Sequence, residues 1–295
     1  MAALEVLAQH RCHGGWQRVY RHESAVIGLP MRFSVYTPPQ ADGGPVPALF
    51  FLAGLECNEE TFMIKAGAQR WAARYGVMLI APDTSPRGAG VPGEDQDWDL
   101  GTGAAFYLDA TQAPWAPRYR MESYIAQELY GMATAQLGAV PSRIGIFGHS
   151  MGGHGALVLA LRHPGRFRSV SAFAPIAAPS RCPWGQKAFS NYLGTDSDAW
   201  ATHDASALMA SSRAPYPAGI LVDQGLADRF LAQQLYPDAF EAACAQAGQP
   251  LQLRRHADYD HGYYFISTFM EDHIRFHAER LQGAATPEVL ADGGA

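Results

Sequence analysis

Apolar residues along this chain gather either as short unbroken runs of strand length or as positions spaced three and four apart, and the two kinds of segment take turns. At the N-terminal end, residues 16–22 and 31–37 instead alternate apolar and polar about Gly28-Leu29-Pro30, which predicts an antiparallel hairpin. After a turn-rich loop over 38–47, strands are predicted at 48–52, 77–81, 143–147, 167–174, 218–222 and 251–254. Helices are predicted over 59–75, 119–137, 155–162, 229–247 and 263–281, with short helical pieces across 199–211. In the second of these, Met121, Tyr124, Ile125, Leu129, Met132 and Leu137 follow helical spacing, and Gly138 stops the helix. The alternation implies an α/β fold with a mostly parallel central sheet, helices on both faces and the N-terminal hairpin added. Between 84 and 118 neither pattern appears. That segment is rich in glycine and proline yet carries Trp98, Phe106, Tyr107 and Trp115, and it reads as a wall over a site.

At 295 residues and 48% hydrophobic content, with no internal repeat or linker, the chain reads as one domain over residues 1–282. Residues 283–295, rich in Ala and Gly, are expected to form a disordered tail. A formal net charge of -6 without a basic stripe sets aside nucleic acid and anionic membranes as partners. No basic leader precedes an apolar core at the start, and nowhere do about 18 apolar residues run together. The expectation is a soluble cytoplasmic protein. Cys12, Cys57, Cys182 and Cys244 lie far apart without a C-x-x-C pair and are expected to be reduced thiols.

Candidate chemistry centres on Gly148-His149-Ser150-Met151-Gly152, a G-x-S-x-G turn between an apolar run and a helix-forming stretch. Such a turn lifts the serine hydroxyl from the end of a strand and aims the first amides of the following helix at whatever it attacks. A serine needs an adjacent base, and the base an orienting acid, drawn from loops at the same sheet edge in the order serine, acid, histidine. His261, in Asp258-Tyr-Asp-His-Gly between the last strand and the last helix, is the base candidate. Asp228, where the chain enters the helix after the Gly225 turn, is preferred as the acid, with Asp223 at the strand terminus as the fallback. Two preorganised amides must hold the oxyanion, and these are assigned to Met151 and Leu55. His273 and His277 have the spacing of a metal-ligand pair but lack a third ligand, and are read as part of a solvated helix face.

Several stretches together resemble one family, the S-formylglutathione hydrolases, also called esterase D. They are Leu52-Ala-Gly-Leu-Glu-Cys-Asn, Trp98-Asp-Leu-Gly-Thr-Gly-Ala-Ala-Phe-Tyr-Leu-Asp-Ala-Thr, Gly148-His-Ser-Met-Gly-Gly-His-Gly-Ala, Cys182-Pro-Trp-Gly-Gln-Lys-Ala-Phe, Val222-Asp-Gln-Gly-Leu-Ala-Asp-Arg-Phe and Asp260-His-Gly-Tyr-Tyr-Phe-Ile. The resemblance implies an α/β-hydrolase fold with Ser150, Asp228 and His261 as a triad. It also implies hydrolysis of S-formylglutathione to glutathione and formate in formaldehyde detoxification, without metal or organic cofactor, by a cytoplasmic homodimer. It places Cys57 near the active site; a small buried hydrophobe is the other reading of that residue. Trp98, Phe106 and Trp184 are read either as lining the substrate pocket or as core aromatics. The chain departs from the family pattern at Glu56, Asn58 and Gly262. A broad carboxylesterase using the same residues is the alternative function. Acyl transfer to a sugar is disfavoured for want of an export signal, and a non-enzymatic binding module by the retained nucleophile and base.

Overall fold

The protein's structure, a computed structural model, describes residues 3–282; the tail expected over 283–295 lies outside them. Its framework is a nine-stranded sheet in the order β1-β2-β3-β5-β4-β6-β7-β8-β9. The strands are β1 Glu5–Cys12, β2 Gly15–Glu23, β3 Pro30–Thr37, β4 Val46–Leu52, β5 Met78–Pro82, β6 Ala139–His149, β7 Val170–Phe173, β8 Ile220–Gly225 and β9 Leu251–His256. Pairings from β1 to β3, and of β3 with β5, are antiparallel; the remainder are parallel. Strands β4, β5, β7 and β8 are buried along their whole length, as continuous apolar runs in a sheet covered on both faces should be.

Two positions of β6 show what covers those faces. A side chain at Gly145 would run into His277 of the helix Tyr263–Gln282, and one at Gly148 into Gly152 of the helix Met151–Arg162. Residues an odd number apart on a strand face opposite ways, so these helices lie on opposite sides of the sheet.

The predicted hairpin is β2 and β3. Strand β1 was not predicted: at the sheet edge it is exposed along most of its length, so no buried face imposes alternation on its residues. Register holds it instead, with Glu5 opposite Arg21 and paired to it at 2.7 Å. The helix predicted over 59–75 is split into Thr61–Lys65 and Ala68–Tyr75 by Gly67, whose φ of 62° belongs to the left-handed region. An unpredicted helix, Pro183–Tyr192, begins with proline at its first turn and with the Cys182 sulfur accepting the Gly185 N–H at 3.4 Å.

Residues 84–118 form no regular strand or helix and pack over the carboxyl ends of the parallel strands. Their anchors are the Tyr107 hydroxyl donating to the Ala53 carbonyl, the Gly103 N–H to Ser85 Oγ, and the Gly101 N–H to the Tyr192 hydroxyl, each at 2.8 Å. From β4 the chain steps to β5 on one side, then to β6 on the other. The crevice beyond the carboxyl ends of β4 and β6 is therefore the switch point, where open α/β sheets take their ligands.

Candidate active site

At the end of β6 the chain turns through Ser150, whose φ of 57° and ψ of -119° are strained for a residue with a Cβ. The surrounding hydrogen bonds hold it there. Its N–H donates to the Phe173 carbonyl at 3.0 Å, and its carbonyl accepts from the amides of His154 and Ile176 at 3.0 and 3.2 Å. The flanking glycines are required by contact. A Cβ on Gly148 would lie 2.2 Å from the Gly152 carbonyl oxygen, and one on Gly152 would lie 2.0 Å from that of Leu52. The turn thus fits only while β4, β6 and the helix start are in backbone contact.

From that turn the Ser150 hydroxyl meets His261 Nε2 at 2.9 Å, and His261 Nδ1 meets Asp228 Oδ2 at 2.5 Å. The Asp228 side chain is fully buried and also accepts the Phe230 N–H at 2.8 Å and the Gln224 side-chain amide at 3.3 Å. A carboxylate facing Nδ1 assigns the proton to that nitrogen and leaves Nε2 to accept from the serine. This arrangement can remove the serine proton and stabilise the resulting imidazolium. His149, beside the serine, packs its ring 4.5 Å from that of His261. Burial, with the neighbouring His261, pushes its pKa well below the usual histidine range, so it adds no second charge beside His261.

Opposite the serine, β4 runs into Gly54-Leu55-Glu56-Cys57. Here a side chain at Gly54 would crowd His149 and Ser150 at 3.2 Å. The Glu56 N–H donates to the Gly103 carbonyl at 3.0 Å and the Cys57 N–H to Gly54 at 3.3 Å, so these two amides serve the loop itself. Leu55, before them, lines the cavity in front of Ser150. Met151 occupies the first position of the helix Met151–Arg162, where an N–H has no intrahelical acceptor. The Cys57 carbonyl, gripped by Thr84 Oγ1 at 2.6 Å and Arg87 Nη2 at 3.1 Å, ties this loop to the irregular segment.

The cavity measures about 350 Å³ and takes its floor from Ser150, His149 and His261. An aromatic wall runs outward from His261. Phe230 meets the imidazole edge-on at 5.0 Å, Trp184 lies 4.7 Å from Phe230, and Trp98 meets Trp184 at 5.5 Å and 90°. Trp98 is pinned from both sides, because Asp97 and Asp99 both pair with Lys187 Nζ, at 3.1 and 2.5 Å. Cys57 lines the cavity half-buried, and burial raises its thiol pKa, which keeps it protonated and leaves Ser150 as the nucleophile candidate at the floor.

Not every predicted residue arrives here. Phe106 belongs to the core: it is 1% exposed and packs against His154 and Phe189, not on the cavity. Asp223, the fallback acid, lies behind the site and holds Arg254 in a two-pronged pair at 2.5 and 2.6 Å. Burial opposes its ionisation, but hydrogen bonds from His273 and Arg254 outweigh that and keep its carboxyl well below the usual range. His273 and His277 are not on a solvated face; both are wholly buried between the last helix and the sheet. Sequence reasoning missed Glu56, Arg229, Phe230 and Tyr263 as cavity residues. Their signal was adjacency, since each lies within two residues of a predicted site residue.

Fold and site together define an α/β-hydrolase enzyme of the esterase type. A family model described as "Putative esterase" matches residues 24–276. The mouse S-formylglutathione hydrolase is 51% identical over 280 residues, covering 95% of this chain and 99% of that protein. A solved structure of an S-formylglutathione hydrolase from Agrobacterium tumefaciens is 47% identical with a TM-score of 0.91, over 94% of this chain and 99% of the other. The fold alone is shared with FphF, a fluorophosphonate-binding serine hydrolase of Staphylococcus aureus, at a TM-score of 0.71 and 19% identity over 90% of this chain and 98% of that one. The chain belongs to the S-formylglutathione hydrolase family.

Proposed function

We propose that the protein hydrolyses S-formylglutathione to glutathione and formate through a formyl-serine intermediate. The reading rests on the 2.9 Å contact between Ser150 Oγ and His261 Nε2, opening on a cavity with room for a small acyl group, in a chain of this family. Ser150 Oγ attacks the formyl carbonyl as His261 Nε2 takes its proton, and Asp228 holds the imidazolium. The Leu55 and Met151 amides receive the oxyanion, each donor being worth a few kcal/mol. Collapse expels glutathione as a thiolate, and the proton on His261 Nε2 passes to it or to solvent, which leaves the imidazole neutral for the second half. A thiolate leaves more readily than an alkoxide, so His261 matters more as base than as acid in this half. Water then attacks the formyl-serine, giving its proton to His261, which returns it to Ser150 as formate departs. The homodimeric state and the cytoplasmic setting belong to the same proposal, and light scattering on the purified chain tests the first.

The test is steady-state hydrolysis of S-formylglutathione and of p-nitrophenyl acetate by the wild-type protein and Ser150→Ala. The expected result is a thioester kcat/KM at least about a hundredfold above the ester's, with the kcat of both lost in the variant. Brisk ester turnover with negligible thioester turnover would favour the broad carboxylesterase on the same residues; full activity in Ser150→Ala would end the mechanism.

A further inference from the structure

Two opposite charges flank the mouth of the cavity. Arg229 directly follows the acid Asp228, and Glu56 directly follows the oxyanion donor Leu55; both line the cavity and both are exposed. Among the described residues neither side chain makes an ion pair or a hydrogen bond, whereas Arg87, Arg254 and Lys187 are bound to carboxylates. The Arg229 guanidinium carbon lies 4.6 Å from the centroid of the Phe230 ring, a contact that uses none of its N–H donors. Glu56 sits at a φ of 64°, and the turn that imposes this is fixed by its own N–H bond to Gly103. Its side chain directly follows the proposed oxyanion donor Leu55 and lines the same cavity as Ser150, so its charge shares that cavity with the negative charge that develops during acyl transfer. An unneutralised carboxylate there opposes the transition state.

The geometry points to a bipolar clamp for the glutathione arm: Glu56 takes the α-ammonium of the γ-glutamyl group and Arg229 takes a carboxylate. This inference rests on S-formylglutathione as substrate. The arm carries both charges while the formyl end carries none, so only the arm needs such partners. Its ammonium also cancels the Glu56 charge at the moment the oxyanion forms. A neutral ester brings no such cation and meets the repulsion undiminished, so Glu56 favours glutathione thioesters by penalising other substrates as well as by binding the right one.

Isosteric variants test this. Arg229→Gln is expected to lower the ratio of kcat/KM for S-formylglutathione to that for p-nitrophenyl acetate about tenfold, mainly through KM, and Arg229→Lys to recover it to within about threefold. Glu56→Gln is expected to lower kcat/KM for S-formylglutathione about fivefold while raising that for p-nitrophenyl acetate about twofold, a crossing that structural damage would not produce. S-formyl-N-acetylglutathione, which lacks the ammonium, should be a poorer substrate than S-formylglutathione for the wild-type protein but not for Glu56→Gln. Ratios in both glutamine variants within twofold of the wild-type value, with S-formylglutathione still rapidly hydrolysed, would overturn the clamp alone. Slow hydrolysis of S-formylglutathione by the wild-type protein would overturn the substrate reading and the clamp with it.

Discussion

Asp223, within β8, and Asp228, in the connection that follows it, lie five residues apart, and what separates them is what each carboxylate faces. Asp228 meets the imidazole that contacts Ser150, while Asp223 meets Arg254 at the back of the sheet. Replacing Asp228 with asparagine removes the charge that fixes the Nδ1 proton and stabilises the imidazolium. The expected loss in kcat is about 10³- to 10⁴-fold with KM nearly unchanged, the scale seen when a triad histidine loses its carboxylate. Asp223→Asn instead takes from Arg254 one of its two carboxylate partners, leaving Asp272 at 2.7 Å, and should appear as lost stability with a far smaller loss of kcat. Equal losses of kcat in the two variants would show that the roles have been divided wrongly. At this scale the sequence was informative wherever a residue had to occupy one place on the chain, as Ser150 must at its turn. It was silent on direction: no spacing says that Phe106 points into the core while Trp98 stays half exposed on the cavity.

The last helix shows where reading elements from periodicity stops short. Its extent was legible, and its charged residues suggested a solvated face for His273 and His277. Yet the buried stripe Ile266, Met270, His273, Ile274, His277 and Leu281 contains both histidines, and that spacing was already in the sequence. Polarity misled because a histidine can be buried if each ring nitrogen is satisfied. Here His273 Nε2 faces Asp223 at 3.3 Å, so it carries the proton and Nδ1 accepts from Ser171 Oγ at 2.8 Å. Ser171 in turn accepts from His277 Nε2 at 2.8 Å, and His277 Nδ1 accepts from Ser169 at 2.6 Å. The Asp223 charge thus sets the direction of every bond in a chain that fastens β7 and β8 to the last helix. Ser171→Ala cuts this chain in the middle and leaves a buried donor and a buried acceptor unpaired, for a loss of about 3 kcal/mol in urea unfolding. Ser169→Ala removes only the terminal link and should cost roughly half as much. Losses below about 0.5 kcal/mol in both would mean that the network contributes nothing net.

Across the whole molecule, the alternation of strands and helices was sufficient for the parallel sheet, because strands covered on both faces are mostly apolar, with paired polar groups such as Ser171 and Asp223 as exceptions. It was not sufficient for β1, whose edge position asks little of its residues. Nor did it reveal how many ionisable groups the two helical layers would cover. Burial holds His22, His149, His154, His203, His273 and His277 below the usual histidine pKa, with His203 pushed down to about 4. Unfolding returns each to about 6.5, so below that pH the unfolded chain binds protons that the folded chain refuses, and stability falls with acidification. Below about 4.5 the depressed carboxyls of Glu122 and Asp223 act in the same direction. Glu59, raised by burial, is a single group acting the other way: its contribution is present at low pH and fades as pH rises through its folded value. Six histidines against one glutamate leave a net uptake of protons on unfolding near pH 5.5, so stability falls as the pH is lowered through that range. Urea unfolding at half-unit steps from pH 7.5 to 5 should show this slope, steepening below pH 6.5. A slope under one proton would mean that the buried imidazoles already accept protons in the folded state, and the fully satisfied chain from Asp223 to Ser169 would then have to be redrawn with a charged histidine in it.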